Sequence, residues 1–73
     1  MYVTVTGIFD SLAVAEKAKS ALIAMGVPEP RIELRPAGNG YAMGVRAESS
    51  FVRERIGELL LRNGASNVRK EAL

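Results

Sequence analysis

The chain has 73 residues, with ten Lys and Arg against eight Asp and Glu, and this net charge of +2 is too small to indicate a nucleic-acid binder. Neither Cys nor His occurs, which excludes disulfides, thiolate metal sites and the commonest general base. We therefore expect one domain over 1-73 that is not an enzyme and has no catalytic residue, metal site or cofactor. No stretch matches a membrane helix or a signal peptide, which predicts a cytoplasmic location away from membranes.

The first part of the chain predicts a strand followed by a helix. Residues 2–6 alternate between the two sides of a β-strand, and Gly7 is expected to end that strand. Asp10 or Ser11 can cap a helix whose apolar residues recur at steps of three and four. Gly26 is expected to end this helix in a left-handed conformation.

The middle of the chain predicts a β-hairpin. Pro28 and Pro30 are expected to hold extended chain that leads into a strand at 31–35. The segment 36–40 is dense in turn-forming residues, and 41–47 should return antiparallel to the preceding strand.

The last part predicts a second helix and a final strand. Ser49 or Ser50 can cap the helix, and Gly64 is expected to end it. Gly57 lies inside the helix at a cost of about 1 kcal/mol, which indicates a close approach of helix to sheet. Residues 65–71 are polar apart from a few small or branched side chains, as is typical of a strand at the edge of a sheet.

This order predicts an α+β fold of the ferredoxin-like βαββαβ type. Right-handed crossovers place both helices on one face of a four-stranded antiparallel sheet, with the strand order 4-1-3-2. The other face is left without a helix and is the main candidate for binding. Its predicted binding residues are Tyr2, Thr4, Thr6, Arg35, Ala42, Gly44, Arg46 and Arg69.

Four interpretations of that face stay open. Its middle is small and neutral, which favours self-association as a homodimer or contact with another protein. A solvated face needs no partner, and a glycan or another small ligand is also possible. RNA binding is the least favoured, because stacking on a sheet of this topology needs aromatic residues, and Tyr2 alone is placed there.

The chain resembles the domain of bacterial general stress proteins of the heat-induced stress type. The resemblance rests on 7–11, Ala15-Glu16, 32–34, Gly40-Tyr41 and 63–65, and it covers nearly the whole chain. It implies a cytoplasmic, stress-associated α/β domain and no catalytic residues.

A second resemblance is to the sporulation-related repeat (SPOR) domain. Gly7, Phe9 and Ala15 are similar to its Gly-x-Phe opening and the helix that follows. This resemblance implies binding of peptidoglycan glycans, and it ranks second.

Overall fold

The computed structural model describes residues 3–72 and contains one four-stranded sheet and two helices. In chain order the elements are strand β1 (Val3–Phe9), helix α1 (Leu12–Met25), a 3-10 turn (Glu29–Arg31), strand β2 (Ile32–Ala37), strand β3 (Gly40–Ala47), helix α2 (Ser50–Arg62) and strand β4 (Ser66–Ala72). All neighbouring strands are antiparallel, and their order is β2-β3-β1-β4. This is the predicted order written from the opposite edge, so the βαββαβ fold is confirmed.

Both helices pack on the same side of the sheet, where they share one apolar core. Alternate residues of β1 and β3 point to this side, and Phe9 and Met43 among them have no exposed surface. Leu22 of α1 and both Ile56 and Leu60 of α2 are equally enclosed in the same cluster. Since both helices lie on this side, the other side of the sheet carries no helix.

Strand β1 continues through Gly7 to Phe9, so the prediction that Gly7 ends the strand was wrong. Gly7 pairs with Met43 and is buried beneath α2. A Cβ added to Gly7 would lie 3.1 Å from the Cβ of Ala65 and 3.3 Å from Cδ1 of Leu60. Close packing against the end of α2, and not a turn, therefore explains this glycine.

The chain between α1 and β2 was expected to be extended, and it is not. Glu29–Arg31 forms a 3-10 turn, which Pro28 precedes in an extended conformation. Pro30 lies at the start of this turn, where its missing N–H would have had no helical partner. The two prolines therefore allow a short helical turn instead of preventing it.

The hairpin between β2 and β3 is tighter than predicted. Both strands extend into the expected loop until Ala37 pairs with Gly40, which leaves Gly38 and Asn39 as the turn. Gly38 has a φ of 59°, whereas Asn39 does not adopt positive φ, which is the pattern of a type II′ turn. Pro36, expected in the loop, belongs to β2.

The N-caps of both helices and the glycine that ends α1 are found where they were predicted, whereas α2 has Asn63 as its C-cap and Gly64 follows with a φ of 97°. The hydroxyl of Ser11 accepts a hydrogen bond of 3.2 Å from the N–H of Val14, and Ser49 caps α2 by the same contact to Val52. Gly26 ends α1 with a φ of 109°. These residues settle the choice between neighbouring candidates at each N-terminus.

The close approach expected at Gly57 is absent. A Cβ added there would lie 3.7 Å from Cε of Lys70 and 3.8 Å from Cγ1 of Val68, and both are ordinary contact distances. Packing against the sheet therefore does not require glycine at this point of α2.

Strand β4 contains a bulge at Asn67. Thr6 of β1 pairs with Arg69, but the next pair on this side joins Ile8 to Ser66, so β4 has one more residue than β1 over this interval. Asn67 has a φ of 57°, the left-handed conformation that a bulge residue of this type adopts.

Beyond the bulge, Lys70 of β4 is on the helix side of the sheet. Its Nζ lies 2.6 Å from Oε1 of Glu54 in α2. The hydrogen bond and the positive charge of Lys70 lower the pKa of Glu54, with a smaller contribution from Arg53. This ion pair therefore ties the edge strand to the helix above it.

Candidate functional site

The side of the sheet away from the helices, called the open face below, has its residues aligned in rows across the four strands. In the central row Glu33 pairs with Gly44, and Gly44 pairs with Thr6. Thr6 pairs in turn with Arg69. The two flanking rows are Arg35, Ala42, Ile8 and Ser66 on one side, and Arg46, Thr4 and Glu71 on the other.

The structure brings the described members of the predicted binding set together. On the open face, with their side chains away from the core, lie Thr4, Thr6, Arg35, Ala42, Gly44, Arg46 and Arg69. Tyr2, the remaining predicted residue, lies outside the described residues. The set is thus contiguous in space, and its role in binding stays a prediction.

A shallow depression runs along the middle of the open face. Its floor consists of short side chains from the two central strands, and charged side chains of the two edge strands form its walls. The volume is about 330 Å³, and the lining residues are Thr4, Thr6, Glu33, Arg35, Ala42, Gly44 and Glu71. The open face is therefore low in the centre and high at its margins.

The charges of the open face lie mainly on its two edge strands. On β2 Glu33 and Arg35 form an ion pair with a nitrogen–oxygen distance of 3.3 Å. On β4 Arg69 and Glu71 are both exposed. Each edge thus carries one acidic and one basic side chain on this face, while the central strands contribute the one further cation of Arg46.

Sequence reasoning missed two members of the open face, Ile8 and Ser66, and Ser66 was missed because the bulge at Asn67 shifts the alternation of β4. Ile8 is half-buried and lies between Ala42 and Ser66 in a flanking row. The alternation that places Thr4 and Thr6 outward continues to Ile8, beyond the strand end that the sequence predicts at Gly7. The central strands therefore contribute more apolar surface to this face than predicted.

The aromatic residues of the described chain lie away from the open face. Phe9 is fully enclosed in the core and Tyr41 packs against it. Phe51 is 70% exposed on α2, and the guanidinium of Arg55 lies 5.7 Å from the centre of its ring. Within residues 3–72 the open face therefore offers no aromatic ring on which a base could stack.

A second concavity, which sequence reasoning did not find, lies between the end of α1 and the start of α2. It has a volume of about 390 Å³, and its walls are mostly apolar side chains with three arginines at the rim. The lining residues are Met25, Gly26, Val27, Pro28, Arg31, Arg46, Phe51, Val52, Arg55 and Ile56. The signal that could have indicated it is the pair of consecutive apolar residues at the first turn of α2, beyond the core stripe.

The chemistry of this second concavity suits a group that is both apolar and anionic. Ile56 is a fully buried member of its lining, whereas Arg31 is already held by Glu48 at 3.5 Å and so is only partly available to a ligand. The cleft is open on one side, and its most prominent aromatic residue, Phe51, projects into solvent instead of closing over it. The second concavity is therefore the weaker of the two candidate sites.

The described part of the chain contains neither a cluster of metal ligands nor a helix that could span a membrane. Across residues 3–72 no three acidic side chains lie close enough together to hold a metal ion. Neither α1 nor α2 has the length and apolar character that crossing a membrane requires.

Comparisons with known proteins add no functional information. A scan against protein-family models found no matching family, and searches of curated proteins and of solved structures found no match.

Proposed function

We propose that this domain is a non-enzymatic interaction module that self-associates as a homodimer through the open face. The observation that carries the proposal is the shape of that face, with small side chains such as Gly44 and Ala42 at the centre and charged residues on both edge strands. Packed sheets lie about 10 Å apart, and short central side chains permit that approach.

The centre of the open face also supplies apolar surface for such a contact. Ile8 is half-buried next to Ala42, and the methyl group of Thr4 lies beside the Gly44 position, with Thr6 paired to Gly44 across the strands. A second sheet would remove these atoms from water at a gain of about 25 cal/mol per Å². The charged edges would remain at the solvated rim, as in other protein interfaces.

The size of the open face sets the affinity that we expect for the homodimer. Four strands spaced about 4.8 Å apart, with three rows about 7 Å apart along the strands, give a footprint of roughly 300 Å². Even with side chains included, this is below the roughly 800 Å² per partner of a standard stable interface. We therefore expect a weak dimer whose population depends on protein concentration.

Sedimentation velocity over a concentration series from about 10 µM to 1 mM tests this proposal. The wild-type chain should shift from monomer to dimer across the series. T6R places a cation in the central row on both protomers, and it should leave the chain monomeric throughout. A24R adds the same charge on an exposed helix position and is the matched control.

The proposal requires that A24R dimerises like the wild type and that circular dichroism shows all three chains folded. A wild-type chain that stays monomeric at 1 mM would overturn self-association. So would a folded T6R variant that dimerises as well as the wild type, because the contact would then lie elsewhere.

A glycan or other small ligand on the same face is the competing proposal. Titration of ¹⁵N-labelled protein with peptidoglycan fragments distinguishes the two proposals. Shifts at the amides of Thr6, Gly44 and Arg46 in a monomeric wild-type chain would replace self-association by glycan binding. An unchanged spectrum, together with dimerisation, supports the homodimer.

A further inference from the structure

The pattern of charges on the open face singles out one symmetry for the homodimer, and this inference rests on the proposed function. We infer that the two-fold axis lies between the two sheets, parallel to the strands and over the gap between β1 and β3. This rotation reverses the strand order, so that β2 of one protomer lies over β4 of the partner and β3 lies over β1 of the partner. Each row then faces its own reversed copy.

In the central row this reversal brings opposite charges together. Glu33 and Arg69 are the two ends of the row, so Glu33 of one protomer faces the partner's Arg69, and the reverse holds at the other edge. A two-fold contact of this kind therefore contains two equivalent acid–base pairs.

The neutral positions are complementary in size under the same rotation. Gly44 faces the partner's Thr6, and Ala42 faces the partner's Ile8, so the smaller residue of each pair accommodates the larger. Adding a Cβ to Gly44 would bring it no closer than 3.4 Å to a Thr4 methyl group within the same chain. The space above Gly44 is therefore open on the outer side of the sheet.

The edge charges remain within reach despite the twist of the sheets. Aligned sheets cross at about 30°, and the edge strands lie about 7 Å from the axis, which displaces facing edge residues by about 4 Å. Arg69 has a long side chain that spans such an offset, and within residues 3–72 it forms no ion pair in its own chain. The partner's Glu33 is thus a counter-charge that the monomer does not provide.

The other in-plane symmetry fits less well. An axis perpendicular to the strands would place each strand over its own copy, so Glu33 would face the partner's Arg35. With the axis in that position, Arg69 would face the partner's Ser66 without a counter-charge. With the axis between the central row and the Arg46 row, Arg69 would face the partner's Glu71, but Arg46 would lie over the partner's Gly44 and place a cation at the neutral centre of the contact. Arg35 also has an acidic neighbour already, because it pairs with Glu33 inside the same chain.

A charge-reversal experiment distinguishes these symmetries. E33R gives a protomer with two cations at the ends of the central row, and R69E gives one with two anions there. Each variant alone should dimerise more weakly than the wild type, because both facing pairs become repulsive. A mixture of E33R with R69E restores both pairs, and its heterodimer should form at least about tenfold more tightly than either variant alone.

R35E is the matched control, because it changes the net charge by the same amount as R69E. Its mixture with E33R should show no such gain if the axis is parallel to the strands. A gain with R35E and none with R69E would overturn the inferred axis in favour of the perpendicular one. No gain in either mixture, with a dimeric wild type, would overturn the inference while leaving self-association intact, whereas a monomeric wild type would overturn both.

Discussion

Gly40 of β3 lies against Phe9 of β1 so closely that a Cβ on Gly40 would overlap the carbonyl oxygen of Phe9. The two residues lie at the end of the central strand pair, next to the point where Phe9 pairs with Tyr41. Because the obstacle is backbone, a rotamer change cannot relieve the contact, and the two central strands must separate instead.

G40A should therefore destabilise the domain by about 3 kcal/mol, at the upper end of the cost of overpacking. Urea unfolding followed by circular dichroism measures this change, and the midpoint should fall at an unchanged slope. A variant as stable as the wild type would mean that the contact between β1 and β3 opens without cost.

G57A should have the opposite effect and stabilise the domain by about 1 kcal/mol. The added Cβ meets Lys70 and Val68 at ordinary contact distances, so the helix propensity of Ala is gained without strain. The same urea experiment measures this gain in stability. G57A is also a control for G40A, since each substitution adds a single methyl group at a glycine.

The N-caps of both helices should each contribute about 1 kcal/mol of stability. S11A and S49A remove the hydroxyl that accepts the N–H of Val14 or of Val52. S50A is the control, because Ser50 lies inside the first turn of α2, and the cap contact belongs to Ser49. In thermal unfolding, S11A and S49A should lower the melting temperature more than S50A does. Equal decreases in all three variants would contradict the assignment of Ser11 and Ser49 as N-caps.

The Glu54–Lys70 pair should make stability fall at acidic pH. The folded-state pKa of Glu54 is depressed below its unfolded value, so the pair stabilises the fold fully above the unfolded pKa of the carboxyl group. This contribution is lost as the pH falls through the depressed pKa of the folded state. K70M should return the pKa of Glu54 toward its ordinary value in a ¹³C-detected NMR titration of the side-chain carboxyl, and an unchanged titration would show that the pair does not form in solution.

The fold was predictable because the helix caps agreed with the hydrophobic pattern around them. Ser11 and Ser49 begin helices, and Gly26 ends one, by local hydrogen bonds that the nearby sequence specifies. The error at Gly7 occurred where tertiary packing decides, whereas those at Pro30 and Pro36 concern only the local geometry of a turn. Gly7 resembles a strand end in isolation, but it lies under Leu60, a residue more than fifty positions away.

The candidate site was predictable to the same extent as the strand alternation. Thr4 and Thr6 were placed on the open face by period-two patterning, and the register then joined them to Gly44 and Arg69. The consecutive apolar residues at the start of α2 indicate exposed apolar surface beside Phe51, but the cleft itself was not predictable, because it depends on the distance between the ends of two helices. A sequence pattern reports which way a side chain points and does not report that separation.

The bulge at Asn67 and the proline at position 36 have a consequence for how far assembly can go. Asn67 interrupts the ladder of one outermost strand, and Pro36 removes an amide donor from the other. Neither border of the sheet is therefore a good template for a further strand, so copies cannot readily join side by side into a continuous ribbon. Concentrated solutions of this chain should accumulate closed pairs and not fibrils.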